Sequence, residues 1–159
     1  AASDVYKRQM FATGMVDDVL IANAYATDEE LHACAAVNPS ILTFGIELEK
    51  ELTDTERQIL DYEPKHVVRG DISEYMIRST WPRVTFADQS IPAANTRDLK
   101  QGDVVILNDG YLKYKGELHI VTKDMPNDGR KNVIGHLPEY EHVLLDYIEP
   151  WKVFAFRIV

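Results

Sequence analysis

Four arginines, Arg69, Arg78, Arg83 and Arg97, fall within 29 positions of a chain that carries eight in all. Residues 65–115 hold eight Lys/Arg against six Asp/Glu, a local excess of +2 on a chain whose net charge is −9. Guanidinium binds phosphate or carboxylate through paired N–H donors, so a basic stretch on an acidic protein suits a small anionic ligand. The competing reading ties the same arginines to nearby acids such as Asp71 and Asp98. Over residues 73–80, strand alternation puts Met76, Arg78 and Thr80 on one face and Tyr75, Ile77 and Ser79 on the other. Neither face is cleanly apolar, as in a barrel strand that lines a ligand cavity or an interface; the alternative leaves Arg78 on the outer surface. Tyr111 and Tyr114 follow the turn Asn108-Asp109-Gly110. They offer aromatic faces to a sugar ring, with Asn108 bonding its hydroxyls, unless the segment is only a surface hairpin with amphipathic tyrosines.

Other chemistries find less support. The histidines at 32, 66, 119, 136 and 142 show no H-x-H or H-x-x-x-H spacing and Cys34 stands alone, so no metal site and no cofactor are expected. Ser40, Ser73, Ser79 and Ser90 lack a nucleophile elbow, and no glycine-rich phosphate loop is present. Carboxylate pairs such as Asp17-Asp18 and Glu47/Glu49 are too common in an acidic chain to be specific. Arg69-Gly70-Asp71 spells an adhesion tripeptide, but nothing else here looks extracellular. Gly70 reads better as a tight turn flanked by a site pair or a salt bridge. A sequence pI near 5.0 argues against nucleic acid as the main partner. No apolar run approaches the roughly 20 residues of a membrane span, and no signal peptide is visible. The cytoplasm is the default compartment, with Cys34 a packed thiol.

A few elements must hold these groups in place. Residues 15–23 suggest a short buried strand carrying Val19, Leu20 and Ile21, and Thr27 with Glu30 forms a capping box that opens a helix over about 28–37. Asn38-Pro39-Ser40 then acts as a linker. A strand follows over 41–48, and a second capping box, Thr53 with Glu56, opens a short helix to about Leu60. Beyond residue 65 the pattern is all-β, with strands expected at 66–70, 73–79, 83–86, 103–107, 117–122, 132–137 and 151–158. Several short strands separated by Asp-Gly and Pro turns favour a closed barrel or sandwich.

The runs RGDISEYMIRSTWPR, NTRDLKQGDVVILND, YKGELHIVTKDMPNDGRKNVIG and LLDYIEPW closely resemble the C-terminal half of the bacterial 6-phospho-N-acetylmuramidases, over roughly residues 15–159. That family joins a glycosidase (β/α)₈ barrel to a C-terminal domain. The resemblance implies a mainly β fold, a cyclophilin-like closed β-barrel with one short helix over 41–159, preceded by a residual βα unit of a truncated TIM barrel at 10–38. It implies a cytoplasmic glycoside hydrolase of peptidoglycan recycling, acting on a disaccharide of N-acetylmuramic acid 6-phosphate and N-acetylglucosamine. Substrate-binding roles then pass to Arg69, Asp71, Arg78 and Arg97, with Asn108, Tyr111 and Tyr114 beside them and Asn23 at the end of a barrel strand. Glycoside hydrolysis needs two carboxyl groups about 5–9 Å apart. Those are expected mainly from barrel strands that precede this segment, so the chain alone is expected to be inactive, its missing partner being the N-terminal barrel in cis. Residues 1–9 contain DVYKRQ, which resembles the translation of a transposon end used in library preparation. They are expected to be a non-native leader. The alternatives are a stand-alone, non-catalytic β-barrel module for a phosphorylated or acidic sugar and, last, a prolyl isomerase suggested by fold analogy alone.

Overall fold

A computed structural model describes residues 2–22, 25–71 and 73–159, with no account of the side chains of residues 2 and 3. Its centre is one seven-stranded sheet. In chain order the strands are β1 (Leu42–Leu48), β2 (His66–Val67), β3 (Met76–Ser79), β4 (Asp103–Leu107), β5 (Leu118–Val121), β6 (Lys131–His136) and β7 (Val153–Ile158), arranged β2-β7-β1-β6-β4-β5-β3. β1 and β7 run parallel and every other pair is antiparallel. Just past β2, the Arg69 N–H donates to the Arg78 carbonyl of β3 at 2.9 Å, so the two edges of the sheet meet. The result is a nearly closed barrel of mainly β character, as the sequence implied.

Alternation explains both faces of the wall. Phe44, Ile46, Ile77, Val104, Ile106, Leu118, Ile120, Ile134 and Phe154 point inward and form the main core. Val105, Val121 and Val133 point outward, yet they too are buried, under Leu99 and Met125. The segment carrying those two residues bridges over the outside, through paired backbone bonds between Leu99 and Met125. Strands β4 and β5 are therefore buried at every position, and β6 at every position but His136.

Both capping boxes form as the sequence indicates. Thr27 opens α2 (Asp28–Ala35), and Thr53 opens α3 (Asp54–Leu60), which sends Ile59 and Leu60 into the core. Glu56 does more than cap. Its buried carboxylate accepts from the Thr53 N–H at 3.0 Å, from Asn132 Nδ2 of β6 at 3.2 Å and from Lys50 Nζ. Replacing Glu56 with alanine removes a cap worth about 1 kcal/mol. It also strands the buried Asn132 donor, adding about 1 kcal/mol more. Urea unfolding of Glu56→Ala is thus expected to show a loss of about 2 kcal/mol in all.

Several expectations need correction. Residues 83–86 are not a strand: α4 (Trp81–Thr85) occupies most of that stretch. Pro82 at its start presets a helical φ and lacks an N–H that the first turn could not have used. Val19-Leu20-Ile21 forms no strand, and Leu20 is 90% exposed. A lone strand–helix half has no neighbouring strand among the described residues to complete its backbone hydrogen bonds. β2 ends at Val67, and Ser73 holds a turn before β3 by accepting from the Met76 N–H at 3.1 Å. The Asn108-Asp109-Gly110 segment enters a 3₁₀ stretch, Asp109–Tyr114, where a tight hairpin turn was expected. Helices outnumber the two expected, over 28–37 and from Thr53 to about Leu60. One of them, α1 (Ala2–Ala12), covers the segment read as a leader, and its Arg8 pairs with the buried Glu141 at 2.6 Å. Among the described residues no helix is long and apolar enough to cross a membrane.

Candidate anion-binding site

A wide concavity beside the arginines lies on the outside of the barrel wall, not in its interior. Its floor is a row of outward-facing side chains set by strand register. Arg78 of β3 stands opposite His119 of β5, His119 opposite Val105 of β4, and Leu107 of β4 opposite Lys131 of β6. The cavity measures about 620 Å³ and is walled by Asp71, Ser73, Met76 and Met125 together with Tyr111 and Tyr114. The two tyrosines arrive on the 3₁₀ stretch and meet edge to face, their centroids 5.8 Å apart. Arg78 and Arg83 lie 5.9 and 5.1 Å from the Tyr114 ring centre, and Lys131 lies 5.4 Å from that of Tyr111.

Glu117 organises the cationic side. It is fully buried and accepts from Arg78 Nε at 2.6 Å, His119 Nε2 at 3.1 Å and Arg83 Nη1 at 3.3 Å. Burial alone would raise its pKa, but the hydrogen bonds from His119 and Arg78 outweigh that and hold it below the ordinary glutamate value. Because an ionised carboxylate only accepts, the proton in the Glu117–His119 contact sits on His119 Nε2. His119 itself is pushed below the usual histidine range, first by burial and further by Arg78 and Lys131, against the pull of Glu117. Glu117 takes only Nε of Arg78. Among the described residues, the acid nearest its terminal nitrogens is the exposed Asp71, at a long 3.7 Å. With Lys131 on the opposite wall, the cavity has two cations, two phenol rings and a carboxylate at the rim. That set suits an anion attached to a hydroxylated ring.

The structure brings together Asp71, Arg78, Tyr111 and Tyr114 of the residues singled out from sequence. Arg69 stands just outside, its Nε 2.7 Å from Asp71. Asn108 is buried beneath the site. Its amide nitrogen donates to the Gly129 carbonyl at 3.0 Å and to Asn132 Oδ1 at 2.9 Å, and its oxygen accepts from the Gly110 N–H, anchoring the segment that carries the tyrosines. Arg97 lies apart from the cavity, bonded twice to Asp103 at 2.7 and 2.9 Å and also to Glu49. Those hydrogen bonds, to Asp103 first and then to Glu49, raise its pKa further still. Asn23 lies outside the described residues. Sequence reasoning did not pick out Glu117, His119 or Lys131. The alternation of Glu117, His119 and Val121 was a usable signal, but only strand register shows which face meets Arg78. Among the described residues no group of His, Cys, Asp and Glu could hold a metal ion.

Comparison with known proteins agrees with this architecture. The chain is similar to the crystal structure of an uncharacterized B. cereus protein, with a TM-score of 0.91 and 42% identity, over 97% of this chain and 44% of that one. A conserved protein from a locus in Enterococcus faecalis, with an unknown function, matches at a TM-score of 0.66 and 20% identity, over 98% of this chain and 41% of that one. The second likeness speaks for the fold alone. This chain spans less than half the length of both. No curated protein matches it. Residues 42–157, which hold all of the barrel strands but the last residue of β7 and the entire cavity wall, match the family described as 6-phospho-N-acetylmuramidase, C-terminal, and the chain belongs to that family.

Proposed function

We propose that this chain is the substrate-binding part of a cytoplasmic glycoside hydrolase that releases N-acetylmuramic acid 6-phosphate from N-acetylglucosamine in peptidoglycan recycling. The observation that carries the reading is the Arg78–His119–Lys131 row beneath Tyr111 and Tyr114, inside the segment that matches the family. Arg78 and Lys131 meet the ligand's anions, the tyrosines bear on its ring, and Asp71 accepts from a hydroxyl. Arg69 steadies Asp71, and Asn108 steadies the tyrosine segment. The hydrolytic carboxyl groups belong to a preceding (β/α)₈ domain, in keeping with a chain less than half as long as its structural relatives.

Calorimetric titration with N-acetylmuramic acid 6-phosphate tests the site. Loss of a hydrogen bond to a charged group costs about 1.5–3 kcal/mol, so Arg78→Ala is expected to weaken binding by about tenfold to a hundredfold. Arg97→Ala, away from the cavity, should leave affinity within about twofold. Equal affinities for wild type and Arg78→Ala would remove Arg78 from the site and this reading with it.

A further inference from the structure

One polar atom in the wall of the anion cavity is left without a partner. His119 lies on the cavity floor with its side chain only 5% exposed, and its Nδ1 has no hydrogen-bond partner among the described residues. Burying a polar atom unpaired is costly, and an unpaired atom on a cavity floor is one that a ligand can satisfy.

The rest of the imidazole is fixed. Nε2 carries the proton and donates to the buried Glu117 at 3.1 Å, which leaves Nδ1 as a bare acceptor. A carboxylate held against one ring nitrogen sets the tautomer and makes the other nitrogen more basic. The charged and titratable groups around the ring come from every side. Arg78 arrives on β3, Lys131 on β6, Tyr111 and Tyr114 on the 3₁₀ stretch and Asp71 from the segment before β3. Arg83 of α4 reaches the ring through Glu117, and Asp128 stands 3.6 Å behind Lys131. β4 presents only Val105 and Leu107 on this face. Of these side-chain types, only histidine ordinarily changes charge between pH 5.5 and 8.

An anion drawn in by Arg78 and Lys131 thus comes to rest against an acceptor. Two lone pairs repel unless a proton lies between them. The anion can bring that proton itself, or Nδ1 can take it from solvent. Burial pushes His119 below the usual histidine range, and the Arg78 and Lys131 charges push it further while Glu117 opposes them. A bound anion offsets those two charges, so it favours a proton on Nδ1.

We propose that the cavity binds an anion together with a proton shared between the anion and His119 Nδ1, so that His119 selects among anions by whether they carry a hydrogen. The proposal rests on reading the cavity as an anion site. An oxyanion that bears a hydrogen, such as hydrogen phosphate, donates it to Nδ1, and nothing is drawn from solvent. Sulfate has none to give. For sulfate, a buffer acid gives up a proton to Nδ1, the ring becomes an imidazolium that donates to the anion, and Nε2–H stays on Glu117. Sulfate affinity therefore rises as pH falls.

Calorimetric titration with inorganic sulfate, in buffers of different ionisation enthalpy, counts the protons. The wild-type chain is expected to take up protons as sulfate binds at pH 6, with affinity rising about tenfold from pH 8 to pH 5.5. Hydrogen phosphate at pH 8 should bind about tenfold more tightly than sulfate, without uptake. His119→Gln can still donate to Glu117 but cannot titrate, so it should abolish the uptake and hold sulfate affinity within about twofold across that pH range. Should that variant not fold, NMR of the wild-type histidine rings gives a second reading: saturating sulfate should move the His119 titration to higher pH, by the factor through which pH changes sulfate affinity. Arg78→Ala should weaken sulfate binding; an unchanged affinity there puts the anion elsewhere and overturns the proposal. Sulfate binding without proton uptake also overturns it, as does a pH profile that His119→Gln leaves intact or a His119 titration that sulfate does not move. If neither anion binds the wild-type chain at millimolar concentration, the anion-site reading itself is lost, and this proposal with it.

Discussion

Replacement of Glu117 by alanine is expected to cost about 4 kcal/mol of stability, the range seen when one partner of a buried ion pair is removed. The side chain is fully buried and holds Arg78, Arg83 and His119 at once. Without it, Arg78 stays partly buried across the cavity from Lys131, and among the described residues its nearest acid is Asp71 at 3.7 Å. His119 Nε2 loses its acceptor, and its Nδ1 already lacks a partner among the described residues. The same substitution should abolish the affinity for N-acetylmuramic acid 6-phosphate that Arg78→Ala only reduces, because it frees both guanidinium groups from their fixed geometry. Urea unfolding and calorimetry on one preparation check both claims. Glu117→Gln separates charge from shape: it fills the same volume and can still accept from Arg78, so its loss should fall between wild type and alanine. A midpoint for Glu117→Ala that overlays the wild type would show that the cluster contributes little.

The second large effect appears as a pH dependence. His66 is buried against Phe154, with ring centroids 5.1 Å apart, and its nitrogens reach Ser79 Oγ at 2.9 Å and the Leu60 carbonyl at 3.2 Å. Burial pushes its pKa from 6.5 down to about 4, with Lys65 adding slightly and the backbone contacts opposing. Between those values the unfolded chain carries a proton that the folded chain refuses. Stability is therefore full above pH 6.5, falls as pH drops toward 4 and levels off below it. Spread over that window, the loss from His66 amounts to about 3 kcal/mol. His119 is shifted in the same direction and adds to the same slope. Glu56 and Glu117, held low, give up their contributions only as pH falls below the ordinary glutamate value, so the upper part of the window belongs to the histidines. Urea unfolding at pH 7.5, 6 and 5 should show the decline in wild type and a markedly flatter profile in His66→Gln. Parallel profiles for the two proteins would rule out His66 as the source.

Features fixed by near neighbours were legible in the sequence. Thr27 with Glu30 and Thr53 with Glu56 cap their helices because the partners are three residues apart and need nothing from the rest of the chain. The strand at 103–107 falls where its apolar run begins and ends. The long runs that resemble the muramidase family pointed to a closed β-barrel, and the family match and the fold agree. Helix α4 was misread because Val84 and Thr85 favour strands when counted singly, whereas Pro82 decides the local backbone.

Long-range placement was a different matter. Four arginines cluster in sequence, yet Arg97 turns to Glu49, 48 residues away, while Arg78 turns to Glu117, 39 residues away. Which of them faces a cavity depends on strand register, and a shift of one residue sends every side chain to the opposite face. By the same rule His119, Lys131 and Glu117 meet Arg78 only after β3, β5, β4 and β6 have aligned. The amino-acid sequence by itself determined the family, the barrel class, the starts of two helices and the presence of an arginine-rich stretch. Only the tertiary structure decided which arginine serves the cavity, which acid aims it, and which histidine lies on its floor. Local hydrogen bonds set the first group, and the second arises from contacts between strands far apart in the chain, whose alignment no short run of residues encodes.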